Sequence, residues 1–172
     1  MVTRWLDDDE LAAWIRLVAV VELLPGVLDS QLRRDSGLTH YEYFVLATLS
    51  SAPSRTLRMT DLAGRTHATL PRLSHVVSRM EGRALVERTA APGDRRVSNI
   101  VLTATGWETL VAAAPGHVET VRHHVLDALT REQVEQLADI TAAVLTRLDP
   151  GAVMGASMLP PRSAPTTAAA LP

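Results

Sequence analysis

LVERTAAPGDRRVSNIVL, residues 85–102, is the stretch that decides the fold. Leu85-Val86-Glu87-Arg88 and Ser98-Asn99-Ile100-Val101-Leu102 carry β-branched and apolar residues. Between them Ala91-Pro92-Gly93-Asp94-Arg95-Arg96 is rich in turn formers, so the stretch reads as a β-hairpin with a basic tip. It is the one confident sheet that the chain offers.

Upstream of the hairpin lie two short helices. Thr60 stands where it would cap a brief helix carrying Leu62 and Ala63, after a short extended piece at Leu57 to Met59. A turn at Thr66 to Ala68 leads into a second helix from Thr69 to about Glu81, with Pro71 in its first turn, where a missing N–H costs nothing. Leu73, Val76, Val77 and Met80 recur at helical spacing and predict the buried stripe, while Arg72, Ser74, His75, Ser78 and Arg79 fall on the other face.

Longer amphipathic segments frame this middle. From Asp7 to Ser36, Leu11, Trp14, Ile15, Val18, Val21, Leu24 and Leu28 recur at three- and four-residue steps behind an acidic first turn. Pro25-Gly26 should kink or briefly break that helix, and Gly37 should end it. Thr39 to Glu42 has capping-box spacing and opens a helix to about Ser51, stopped at Ala52-Pro53. Thr103 caps a helix carrying Leu110, Val118 and Val125, with an interruption expected near Pro115-Gly116. Thr130 and Gln133 form another capping box, opening a last helix with Val134, Leu137, Val144 and Leu148 on one side. Residues 150–172 hold five Pro among mostly small residues and read as a disordered tail. The chain thus divides into a single domain over 1–149 and the tail.

Composition narrows the function. The 172 residues are 47% apolar and 21% charged, enough for one full core. There is no Cys, which excludes disulfides, thiol catalysis and Cys metal sites. His123 and His124 point to different faces, His117 lies six residues earlier, and no helical ligand pair results; neither metal nor cofactor is expected. No Gly-rich phosphate loop, G-x-S-x-G or H-E-x-x-H occurs, so an enzyme is not expected. The N-terminus is acidic and no run of about 18 uncharged apolar residues exists, so a cytoplasmic protein is expected. The net charge of −2 is unevenly spread: residues 54–98 hold nine Arg against four acids, a local +5, and the remainder carries −7. A basic insert in an acidic frame fits a middle segment that touches phosphates.

Two short helices joined by a tight turn, followed by a hairpin, make a winged helix-turn-helix, whose second helix lies in a major groove. Arg95 and Arg96 at the wing tip are placed for a minor groove, with Asp94 holding one of them. These residues resemble the MarR family of winged-helix regulators. The family's wing signature, D-x-R and then L-T-x-x-G, stands here as Asp94-Arg95-Arg96, Leu102-Thr103 and Gly106, with Leu62-Ala63, Met80-Glu81 and Leu85 to Arg88 at the family's spacings. The resemblance spans roughly residues 7–148. His67 and Ala84 depart from it, each standing where the family usually has Gly.

The resemblance implies a mainly α fold: a winged helix-turn-helix over about 39–103 with a small β-hairpin wing, and N- and C-terminal dimerisation helices at about 7–36 and 104–148. It implies a homodimer that presents two winged helices to a pseudo-palindromic operator in double-stranded DNA. The long helices also demand partners on their own account, being too apolar along one stripe to stand exposed. The expected DNA contacts are Thr69, Arg72, Ser74, His75, Ser78, Arg79, Asp94, Arg95 and Arg96. Trp14, Arg16, His40, Tyr41 and Phe44 are candidates for a pocket taking the small, often anionic aromatic effectors of the family. The expected function is that of a sequence-specific regulator, a dimeric repressor released by an effector. The contrasting reading is a winged-helix module for non-specific DNA binding or protein–protein contacts.

Overall fold

The computed structural model describes residues 2–91 and 94–154. Helix α1 (Asp8–Ser36) opens on a capping box between Asp7 and Glu10 and ends at Gly37, whose φ of 66° only Gly adopts cheaply. Helix α2 (His40–Ser50) begins with the Thr39–Glu42 capping box. A single 3-10 turn, Pro53–Arg55, then leads to strand β1 (Thr56–Arg58). Helices α3 (Met59–Arg65) and α4 (Leu70–Glu81) follow, then strands β2 (Val86–Ala91) and β3 (Asp94–Leu102). Helix α5 (Ala104–His124) starts from the Thr103 cap, and α6 (Arg131–Leu148) from the Thr130–Gln133 capping box.

Several boundaries differ from the sequence reading for local reasons. The extended piece at 56–58 is a third strand: β1 pairs antiparallel with β3, giving the order β1-β3-β2. Three residues are too few for a periodic signal, and only the long-range partner makes them a strand. Helix α3 begins one residue before Thr60, with Arg58 at the N-cap and no side-chain cap. Neither α1 nor α5 breaks at its Pro-Gly pair. Each Pro removes one ladder hydrogen bond, but both helices continue for two further turns or more. The same device follows each pair: Ser30 Oγ donates to the Gly26 carbonyl (2.7 Å) and Thr120 Oγ1 to the Gly116 carbonyl (2.8 Å). Residues 150–154 are turned back by the Asp149 carboxylate, which accepts from the Val153 and Met154 amides, and Val153 packs toward Gly64 of α3. Of the tail expected from Pro150 onward only 150–154 belong to the described residues, and 155–172 lie outside them.

The core belongs to the winged unit and the helices that touch it. Leu32, Leu38, Leu46, Leu49, Leu62, Leu73, Val77, Met80 and Ile100 are fully buried. Each such side chain contributes about 1.5–3 kcal/mol on leaving water. The N-terminal half of α1 and all of α6 lie outside this core. Trp14, Ile15, Val20, Val21 and Leu23 are exposed, α6 buries no residue, and Ile140 is 61% exposed. By length and composition α1 would pass for a membrane-spanning helix, although Arg16 and Glu22 interrupt its apolar run.

Candidate nucleic-acid interface

The turn between α3 and α4 is built on Thr66. Its buried hydroxyl donates to the Leu62 carbonyl (2.7 Å) and accepts from the Tyr41 hydroxyl (3.0 Å), which ties the turn to α2. His67 follows with φ 48°, and the Ala68 amide returns to the Ala63 carbonyl. Thr69 caps α4, its hydroxyl accepting from the Arg72 amide. The buried stripe is Leu73, Val76, Val77 and Met80, which leaves three other faces of α4 for the outside.

One flank leans on α2. Arg72 lies over the Tyr41 ring, 5.0 Å from its centroid, and Arg79 Nη2 donates to Glu42 Oε1 at 2.8 Å. Arg83, just past the helix, reaches Glu42 Oε2 at 3.5 Å. Burial pushes the Glu42 carboxyl upward, but hydrogen bonds from Thr39 and Arg79 outweigh it and hold the group below its ordinary range. The opposite flank faces the wing root, where Arg88 donates to Ser78 (3.5 Å) and Glu81 (3.3 Å). Between α4, the start of α3 and the wing root runs an open groove of about 480 Å³ lined in part by Arg58, Thr60, Ser74, Arg88 and Ser98. The crest is exposed, and His75 stands on it with no bonded partner among the described residues.

The wing is anchored at its base. Thr103 Oγ1 donates to the backbone carbonyls of Ala84 and Leu85 and accepts from the Gly106 amide. A Cβ on Gly106 would sit 1.9 Å from the Leu85 carbonyl oxygen, so only Gly lets α5 cross the wing root this closely. Ala84 occupies φ 55° at the same junction. Asp94, Arg95 and Arg96 open β3, and their side chains lie outside the described residues.

The site residues expected from the sequence therefore separate. Thr69, Arg72, Ser74, His75, Ser78 and Arg79 share α4 and its cap, but Arg79 is engaged by Glu42, and Ser78 by Arg88. Arg58 and Arg88 join the basic groove without being expected DNA contacts: in the sequence Arg58 counts only as charge, and Arg88 as charge and as part of the strand that enters the wing. Glu42 was legible only as a capping residue, and nothing local in the sequence pairs it with Arg79, 37 positions on.

The expected effector set is not brought together within one chain. His40 donates its amide to Asp29 Oδ1 of α1. Trp14 lies fifteen residues and Arg16 thirteen residues before Asp29 on that helix, about 20 Å or more away at 1.5 Å per residue, so neither reaches Tyr41 or Phe44. Tyr41 turns to the helix-turn-helix, and Phe44 is half-buried on α2. His40 instead stacks near His117 of α5 (centroids 6.2 Å), whose ring packs on Tyr43 (4.3 Å). Burial holds both imidazoles below their ordinary values, with Asp29 opposing the shift at His40 and His40 adding to it at His117. His117 Nδ1 and, on α1, Gln31 Oε1 are buried without a hydrogen-bond partner among the described residues.

Comparison with known proteins places these features. The family model for the MarR family matches residues 38–98. Sco3205 of Streptomyces coelicolor, a MarR family transcriptional regulator solved in complex with DNA, is 42% identical, covers 87% of this chain and 93% of its own, and superposes with a TM-score of 0.82. AbsC, a MarR family transcriptional regulator from the same organism, is 38% identical over 86% of this chain and 99% of its own, with a TM-score of 0.80. The transcriptional repressor MdtR of Bacillus subtilis is 30% identical over 121 residues, 70% of this chain and 75% of its own.

Proposed function

From the premise that the chain belongs to the MarR family of transcriptional regulators, we propose that it is a dimeric repressor that blocks transcription from a pseudo-palindromic operator and is released by a small effector. It is a DNA-binding regulator and not an enzyme. The observation that carries the reading is the α4 crest and flanks, presented between a basic groove and a wing, in a chain 42% identical to a regulator solved on DNA. The exposed apolar faces of α1 and α6 supply the dimer contact, and two-fold symmetry would set the recognition helices about 34 Å apart, one DNA turn. The cytoplasm, where DNA is accessible, is its place of action.

Arg72, His75 and Ser74 are the proposed groove contacts from α4, Thr69 and Ser78 are proposed at phosphates, and Arg95 and Arg96, with Asp94 beside them, at the neighbouring minor groove. Arg58 and Arg88 are proposed to contact the phosphate backbone along the groove between α4 and the wing. The proposed effector, small and aromatic or anionic, binds between α1, α2 and α5 at His40, where it would have to open the packing to reach the buried, unpaired His117 Nδ1 and Gln31 Oε1. Trp14 and Arg16 join such a site only from a second copy, because their own α1 holds them too far away.

Selection of bound sequences from random duplex DNA at physiological salt tests the reading. An inverted repeat with half-sites about 10 base pairs apart supports it. No enriched motif would leave a winged helix that binds DNA without sequence preference or contacts proteins. With a motif in hand, Arg72→Ala should cost about 1–3 kcal/mol and relax preference at one base pair.

A further inference from the structure

We propose that Glu42 is a positioning residue that determines sequence specificity by withholding Arg79 and Arg83 from DNA and by strapping the last turn of the recognition helix to α2. The proposal rests on the DNA-reading function above.

Glu42 is 3% exposed, and its carboxylate is committed on both oxygens. Oε1 accepts from Arg79 Nη2 at 2.8 Å. Oε2 accepts from the Thr39 amide at 2.8 Å and from Arg83 Nη1 at 3.5 Å. The guanidiniums are half exposed, whereas the acid is not, so the acid is the fixed member and the arginines are the ones held. Arg33 of α1 also faces the carboxylate. A carboxylate this deeply buried is costly unless paired, so the pairs persist while the fold does. The strap runs from the C-terminal turn of α4 to the first turn of α2, which follows directly on the Gly37 end of α1. The tilt of the recognition helix is thus referenced to the helix that carries the dimer face.

Two consequences can be separated by experiment. Free Arg79 and Arg83 side chains beside the recognition helix would add phosphate contacts that carry no sequence information. A freed α4 would read its bases from a less defined angle. Both lower the ratio of operator to random-DNA affinity, but only the first steepens the salt dependence.

Glu42→Gln is the discriminating change, because Gln at this position still accepts from the Thr39 amide and keeps the capping box while removing the charge. The operator selected by the wild-type chain and a random duplex of equal length serve as probes over a range of salt. Glu42→Gln should lower the operator-to-random ratio about tenfold or more and steepen the slope of log K against log salt on random DNA by about 1–2. Adding Arg79→Gln to Glu42→Gln should return about half of that slope, Arg83 accounting for the rest, which a merely misfolded α2 would not do. Arg79→Gln alone should weaken operator binding evenly across positions. An unchanged ratio and slope in Glu42→Gln overturns the proposal, as does Arg79→Gln relaxing preference at a single base pair, which would make Arg79 a base reader. If Glu42→Gln does not melt as a folded protein, Arg79→Gln carries the test alone. Failure of the wild-type chain to select any motif removes the function reading and the proposal with it, whereas a motif read equally well by Glu42→Gln removes the proposal only.

Discussion

At Ala84 the backbone holds φ 55° on a residue with a Cβ, a conformation costing about 1–2 kcal/mol in an L-residue. Ala84→Gly should relieve this at some entropic cost and stabilise the protein by about 0.5–1 kcal/mol, read as a raised Tm with DNA binding retained. Gly106 is the opposite case. With the Leu85 carbonyl 1.9 Å from a built Cβ, Gly106→Ala must push α5 off the wing root, and a loss of several kcal/mol is expected in denaturant unfolding. Leu102-Thr103 with Gly106, part of the motif that carries the family resemblance, anchors the wing. His40 and His117 have depressed pKa values in the folded chain, burial being the main cause. The unfolded chain therefore binds protons first as pH falls below about 6.5, so stability should decline from there toward acid pH. A His117→Phe variant followed by thermal unfolding at pH 7 and pH 5 should show a smaller decline than the wild type.

At the scale of elements, the helices with strong ends were legible: the Thr39, Thr103 and Thr130 caps and the Gly37 stop all lie where the residues place them, whereas Asp7, read as the first helical residue, is the N-cap of α1. A kink or brief break is the expectation at Pro25 and an interruption at Pro115; both helices run on without a break, because a long helix with a packed neighbour tolerates one missing ladder bond. Strand β1 was beyond local reading because its partner lies more than forty residues away. The same limit hid the contacts of the site. The recognition-helix residues were found from their spacing, but whether each is free or engaged depends on Tyr41, Glu42 and Arg88, which come from other elements. Thr66→Val tests one such link. It keeps the side-chain shape but loses the hydroxyl that accepts from Tyr41 and donates to Leu62, and should cost about 1–2 kcal/mol in stability.

At the scale of the whole molecule, the apolar faces of the N-terminal half of α1 and of α6 have no cover among the described residues. Ile15→Asp and Ile140→Asp should dissociate the dimer in sedimentation and abolish operator binding together, while a winged core that remains folded keeps its helical circular dichroism. Loss of operator binding with the dimer intact would place the DNA defect elsewhere than in assembly.

Because α6 buries nothing among the described residues, a second copy is what would supply its stability, and the amount of protein in the cell would then enter the folding equilibrium as a variable. Below the dimer dissociation constant, operator occupancy rises with the square of the monomer concentration, so a modest fall in synthesis silences the repressor steeply. Control of abundance would then derepress target genes without any ligand.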